Sequence, residues 1–459
     1  MSEEKGKNEN IDMITGDPKK AIIKLSVPMM ISMLLIMLYN IADSIWVAGL
    51  GADALAALGF ITPLFMVLIG LGNGIGAGAN SLIARYIGSN NYDKANNAGL
   101  HGIVLSIIVS VIFTILIEVF MAQILEFMGA GNTIGYAMQY SYIVFGFLFI
   151  FVYSGVASAI FRSEGDMKRA TYAIAVTAIL NIILDPIFIY ILNLGIAGAA
   201  WATVISAFIS CLVMSYWIWG KKDLYLDLSF KNFKYSNKMI FDTLQVAIPS
   251  TLESIIFSAL AIMINGMLVI ASGTTAVAVY TASMRIVQLA MIPLIGIGTA
   301  VLTVAGVAFG ARNHTNLKTA HSYSIKLGFA ISVVMGIVMF IFSNQIAGIF
   351  SYTSASSTLA PQIAEALSVL TLFVLAIPHG IMSSMMFQGV GKGFYSLLIT
   401  LLRSLILETV FAYIFCFIFG WGIVGIYVGV IVGCFVGGTI GYIWAKLFIR
   451  NFKKVVSSE

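Results

Sequence analysis

Three carboxylates set in strongly apolar sequence are the groups of this chain with chemistry to offer. Asp43 stands in LYNIADSIWVAGLGADALAALG (residues 38–59), beside Tyr39, Asn40 and Ser44 and ahead of a turn at Gly49 and Gly51. Asn181 and Asp185, in AVTAILNIILDPIFIYILN, are four residues apart and so share a helical face. Pro186 follows at once, weakening the hydrogen bond back to Ile182 and leaving that carbonyl open to an ion or a water molecule. Glu253 comes four residues after Pro249 in VAIPSTLES. A carboxyl group in a low-dielectric setting can hold either a proton or a cation. That competition is the simplest physical basis for exchanging one against the other.

Each acid also has a plainer reading. Asp43 can sit near lipid headgroups with water around it, and the Asn-Asp-Pro unit can be a satisfied kink. Glu253 can snorkel or pair with a loop, and Glu118 can be interfacial. Arg285, with Gln288 near its face, fits either an anionic ligand or a lock between helices. Arg403 reads as such a lock; Glu408 follows it by five residues, a poor spacing for a same-face pair on an α-helix. His101, His314, His321 and His379 form no constellation, and Cys211, Cys416 and Cys434 have neither a disulfide framework nor metal-ligand spacing. There is no phosphate-binding loop, no potassium-filter repeat and no catalytic set, so no enzyme is expected. The glycines of GLGNGIGAGANSLIARYIG read as close helix packing.

The elements that must position these groups are membrane-spanning helices. Of 459 residues, 60% are hydrophobic and 10% charged, with a mean hydropathy of +0.99. A soluble domain carries about a quarter charged residues. Twelve stretches are long enough to cross the bilayer, near 22–48, 54–84, 98–120, 134–160, 170–191, 196–219, 240–270, 276–308, 320–342, 363–388, 394–419 and 421–445. Lysines and arginines fall before the first, after the last and in every even-to-odd connection, including Lys222 in the segment after the sixth. The remaining connections, among them 343–362, have none. That alternation places both termini in the cytoplasm of a multi-pass plasma-membrane protein. It also accounts for the net charge of +5 without nucleic acid.

The expected layout is a 1–20 tail, an N-lobe over 21–219, a 220–239 linker, a C-lobe over 240–446 and a 447–459 tail. An internal repeat supports it. Gly51 and Gly273, Gly74 and Gly296, Gly76 and Gly298, Gly88 and Gly310, and Ala98 and Ala320 are each 222 positions apart, and Pro28 precedes Pro249 by 221. Six spans per copy give both halves the same orientation, with a cleft between two pseudo-symmetric lobes. Within the linker, LYLDLSFKNF is expected along the inner membrane surface.

These features together resemble the multidrug and toxic compound extrusion (MATE) family, over about residues 17–450. Pro28 with YNIADSIWVAGLGADALAALG, ARYIGSNNYDKA, the Asn181-Asp185-Pro186 unit and the echo IPST…FGARNHTNLKTAH carry the likeness. The pattern is nearest the archaeal and related bacterial members. The resemblance implies an all-α fold of twelve transmembrane helices and export of organic cations in exchange for protons or sodium ions, without a cofactor. It also places a coupling site at Asp43, Asn181 and Asp185, with helix one bending around Pro28. A seventh-helix acid used by another branch falls near Glu253. That branch also needs an acid in helix ten, where this sequence has Glu365 near the outer end and His379 further in, so the first lobe is favoured. Asn40 and Arg285 are further candidates. The 22 methionines suit an adaptable apolar cleft. A flippase for lipid-linked saccharides or other lipids is the alternative, and Arg285, Arg403 and Lys326 are few cations for it. Partners beyond small organic cations and membrane lipid are not expected: neither nucleic acid nor an obligate protein.

Overall fold

In a hydrocarbon layer every backbone N–H and C=O must be satisfied within its own segment, so spans this apolar fold as helices. The computed structural model describes residues 2–221, 223–350 and 359–457. Lys222 of the expected linker and residues 351–358 of the 343–362 connection lie outside them. Among the described residues every regular element is helical: α1 Ser2–Thr15, α2 Pro18–Ala48, α3 Ala52–Gly88, α4 Tyr92–Phe127, α5 Ile134–Gly146, α6 Leu148–Ser163, α7 Met167–Pro186 and α8 Ile196–Ser215 come first. The second half adds α9 Asn237–Ser272, α10 Thr274–Gly310, α11 His314–Ile341, α12 Ser343–Phe350, α13 Ala360–Ala376, α14 Pro378–Gly389, α15 Gly393–Thr400, α16 Glu408–Tyr413 and α17 Gly422–Ser457. Among the described residues eleven helical stretches are long and apolar enough to cross a membrane, and the 49° bent pair around α5 and α6, taken as one span, makes twelve. This is an all-α polytopic membrane protein.

The chain forms two compact units, Met1–Asp17 with Val27–Thr251 and Pro18–Ser26 with Leu252–Glu459. Their internal plans repeat. α3 and α10 each run 37 residues and start after a glycine with positive φ, 112° at Gly51 and 77° at Gly273. Asn91 and Asn313 cap α4 and α11 by accepting from the backbone N–H of Lys94 and Asn316, at 3.3 and 2.9 Å. All of these pairs keep the 222-residue spacing.

Later landmarks shift. Gly165 and Gly391, both with positive φ, are 226 positions apart; Gly195 and Gly422, with φ of 58° and 59°, are 227 apart. The second unit therefore carries one extra residue between those landmarks. It also carries a π-helical stretch over 401–407 at that place, beyond the π turns 187–191 and 414–418 that both copies share. A π turn absorbs an added residue without re-phasing the helix beyond it.

Two segments outside the spans are more built than polar sequence implies. Ile11 and Ile14 of α1 are buried, with Ile14, Asn10 and Met13 packed around Gly165. In the 220–239 segment Leu224, Leu226 and Leu228 are buried while Asp227 is exposed, the period of an extended strap rather than of an amphipathic helix on a membrane. Polar side chains of the first unit pin it. Glu164 accepts the N–H groups of Tyr225 (3.2 Å) and Leu226 (2.9 Å), and Asn97 donates to Lys234 O (2.7 Å) and accepts from Lys234 N (3.1 Å). His101 Nε2 accepts from Ser236 N at 3.0 Å. At the strap's start Asp223 pairs with Lys221 at 2.9 Å and with Arg169. Burial pushes the Asp223 carboxyl up, but those two cations together hold it below its ordinary value.

Candidate functional site

In the first unit the α7 register brings Asn181 and Asp185 together, as their spacing requires. Asn181 Nδ2 donates to Asp185 Oδ1 and to Thr203 Oγ1, both at 3.3 Å; Thr203 belongs to α8 and in turn donates to Ala199 O at 3.0 Å. Asn181 is 1% exposed and Asp185 0%. Asp43 of α2 is half-buried and close enough for its charge to act on Asp185. Three oxygens of this group, Asp43 Oδ1, Asn181 Oδ1 and Asp185 Oδ2, are buried without a hydrogen-bond partner. A buried unpaired acceptor is costly. The phenol of Tyr140, on α5, joins it: it interacts with Thr203 and with the charges of Asp43 and Asp185. Thr203 and Tyr140 carry no sequence signal, since hydroxyl residues are frequent in spans and period alone does not say which way they point.

Pro28 lies inside α2, and the surroundings of its carbonyl are specific. Pro28 O accepts from Ser32 Oγ and from Thr171 Oγ1 of α7, both at 3.0 Å, and Ser32 Oγ donates to Thr171 Oγ1 at 2.9 Å. Thr171 thus ties the proline turn of α2 to the helix that carries Asn181 and Asp185. Asn40, by contrast, is exposed; its carbonyl accepts from Ser44 Oγ at 2.8 Å.

The second unit holds further buried polar side chains. Glu253, 9% exposed, accepts from Ser396 Oγ at 2.6 Å and from Gln388 Nε2 at 3.2 and 3.3 Å, and Ser384 shares a 2.5 Å hydrogen bond with Ser396. It is paired inside the helix bundle, not with a loop. Gln388 and Ser396 are residues that sequence reasoning does not single out. Another cluster is Arg403, Glu408 and Cys434, where Arg403 donates to Cys434 Sγ at 3.6 Å and Glu408 Oε2 has no partner. Their helix lies on the glycines of α17: a Cβ at Gly433 or Gly437 would meet the backbone of Glu408 or Arg403. Counting back seven residues from Phe188 and Phe415, which face Gly198 and Gly425 in the two copies, Glu408 occupies the position that Asn181 has in the first unit. Arg285 is exposed and joins neither cluster.

A family model described as MatE matches residues 28–187 and 249–414. The multidrug export protein MepA of Staphylococcus saprophyticus subsp. saprophyticus is 27% identical over 389 residues, 84% of each chain. A crystal structure of MATE in the straight conformation is 38% identical with a TM-score of 0.94, covering 97% of this chain and 99% of that one. A MOP superfamily transporter from Pyrococcus furiosus, described by a reverse polarity of its binding pocket that suggests a different function, is also 38% identical. Its TM-score is 0.94 and the coverage 97% and 98%.

Proposed function

The chain belongs to the MatE family, and we propose that it is a secondary active multidrug exporter, exchanging organic, mainly lipophilic cations for protons or sodium ions by alternating access. It is a multi-pass cell-membrane protein, and a relative matching most of its length is a multidrug export protein. The observation that supports the coupling is that Asp43 acts by its charge on Asp185, which Asn181 hydrogen-bonds, while each of the three keeps a buried oxygen without a partner among the described residues. In this reading Asp43 and Asp185 hold the entering proton or sodium ion and Asn181 supplies a neutral oxygen. Occupancy of the site biases α2 through its Pro28–Thr171 anchor. An inward gradient then drives export, and each charge moved across the membrane adds about 2.3 kcal/mol per 100 mV. Both termini are assigned to the cytoplasm, and the N-lobe and C-lobe to 21–219 and 240–446. Glu253 is a second candidate for ion exchange, already held by Gln388 and Ser396.

Proteoliposomes with an imposed proton or sodium gradient and a fluorescent organic cation test this directly. The dye leaves when either gradient is applied and stays without one. Efflux indifferent to both gradients would remove the antiport reading.

A further inference from the structure

We propose that the second unit carries a binding site for a phosphate oxyanion, separate from the acidic clusters above. A cavity of about 460 Å³ opens there, with Lys19 from α2, His314, Lys318 and Lys326 from α11 and Lys453 from α17 on its walls. Three helices far apart in sequence thus turn cationic groups toward one space. Among the described residues, none of those lining it carries a carboxylate. Lys318 and Lys453 are near enough for both charges to act on His314. Like charges gathered in this way repel, and an anion in the cavity relieves the repulsion.

The position of Lys326 is the most telling. It lies about 18 Å along α11 from the start of that helix, counting 1.5 Å per residue, within a stretch apolar enough to span. A lysine there lays its stem on apolar surface and sends the ammonium back toward polar surroundings, and the cavity is where it points. Hydroxyls complete the wall. Thr319 and Ser322 are half-buried on the same helix, and the Tyr323 ring lies 5.9 Å from the Lys19 ammonium. Ammonium groups with hydroxyl donors are a phosphate-binding set, and basic pockets between transmembrane helices hold lipid headgroups by this chemistry. The volume falls in the range of sites that admit a ligand larger than a bare ion. A phospholipid headgroup and a free phosphate present the same oxyanion.

The full chain, purified in neutral detergent, is titrated with inorganic phosphate by calorimetry. In parallel, phosphatidylglycerol in phosphatidylcholine nanodiscs is scored by the lipid retained in native mass spectrometry. Lys326→Gln and Lys453→Gln are measured beside the wild type, with Thr319→Ala as an uncharged probe of the same wall. The proposal expects one or both probes to bind the wild type, with each lysine substitution lowering that affinity roughly fivefold. Phosphate binding with no lipid retention supports the site and identifies a soluble source; selective retention of phosphatidylglycerol supports it and identifies the headgroup. Both lysines are exposed, so the variants keep the fold. Failure of both probes on the wild type overturns the site, as does equal binding by wild type and the lysine variants.

Discussion

Glu408 donates its backbone N–H to the carbonyl of Arg403, five residues earlier. This π turn explains how a pair badly spaced for an α-helix comes to share one side of its helix, on the glycine face of α17. The two units carry different residues at that structural position: Asn181 in the first, Glu408 in the second.

The charges of Asp43 and Asp185 act on each other, so the two should function as a unit. Asp43→Asn and Asp185→Asn are each expected to lower gradient-driven dye efflux about tenfold or more, and the double variant to be scarcely worse than either single. Initial rates in proteoliposomes measure this. Additive losses would mean two independent sites.

Thr171 serves both Pro28 and Ser32. Thr171→Val should cost about 1–2 kcal/mol, the usual loss for a buried hydrogen-bonded hydroxyl. Thermal unfolding in detergent reads this cost. A cycle with Ser32→Ala should be non-additive, because the two hydroxyls share one carbonyl.

Gly433→Ala places a methyl group against the backbone of Leu407 and Glu408. Backbone cannot step aside like a flexible side chain, so a loss of about 1–3 kcal/mol is expected in the same unfolding measurement. Gly266→Ala, in α9, meets nothing within 4 Å among the described residues and is the control.

Burial pushes the Glu164 carboxyl up to about 8, against the opposing pull of the Tyr225 and Leu226 N–H groups. A raised carboxyl value means that the docked strap is favoured by the protonated form. Docking is therefore fully stabilised below about 4.5, the ordinary value, and weakens as pH rises through about 8. Hydrogen-exchange protection of Tyr225 and Leu226, referenced to the intrinsic rate at each pH, should fall across that window. Glu164→Gln should flatten the dependence.

Hydropathy made the spans legible because removal from water is what selects those residues. The Asn181–Asp185 contact was legible too, since four residues on one helix fix a shared face. The repeat was readable wherever turns demand particular residues, as at Gly51 and Gly273. Contacts set by how one helix is rotated against the next stayed hidden. Thr203, Tyr140, Gln388 and Ser396 sit in helices apolar all round, where no stripe reveals which side meets a neighbour. The π turn was hidden for the same reason, because one more leucine or isoleucine among many leaves no visible break. The strap over 223–236 was legible only in part. Its alternation of leucine with polar residues suits a membrane surface as well as a strand, and the acceptors that decide between them lie in distant helices.

From Gly391 to Gly422 the second copy is one residue longer than the first is from Gly165 to Gly195. Added to an ordinary α-helix, that residue would swing everything downstream by about 100° and carry Glu408 off the glycines of α17. Wound into a wider turn, it leaves the glycine turns at Gly195 and Gly422 with the same backbone conformation. One scaffold thus presents an amide in the first unit and an acid at the matching place in the second, so two like-built halves can differ in the charge they hold.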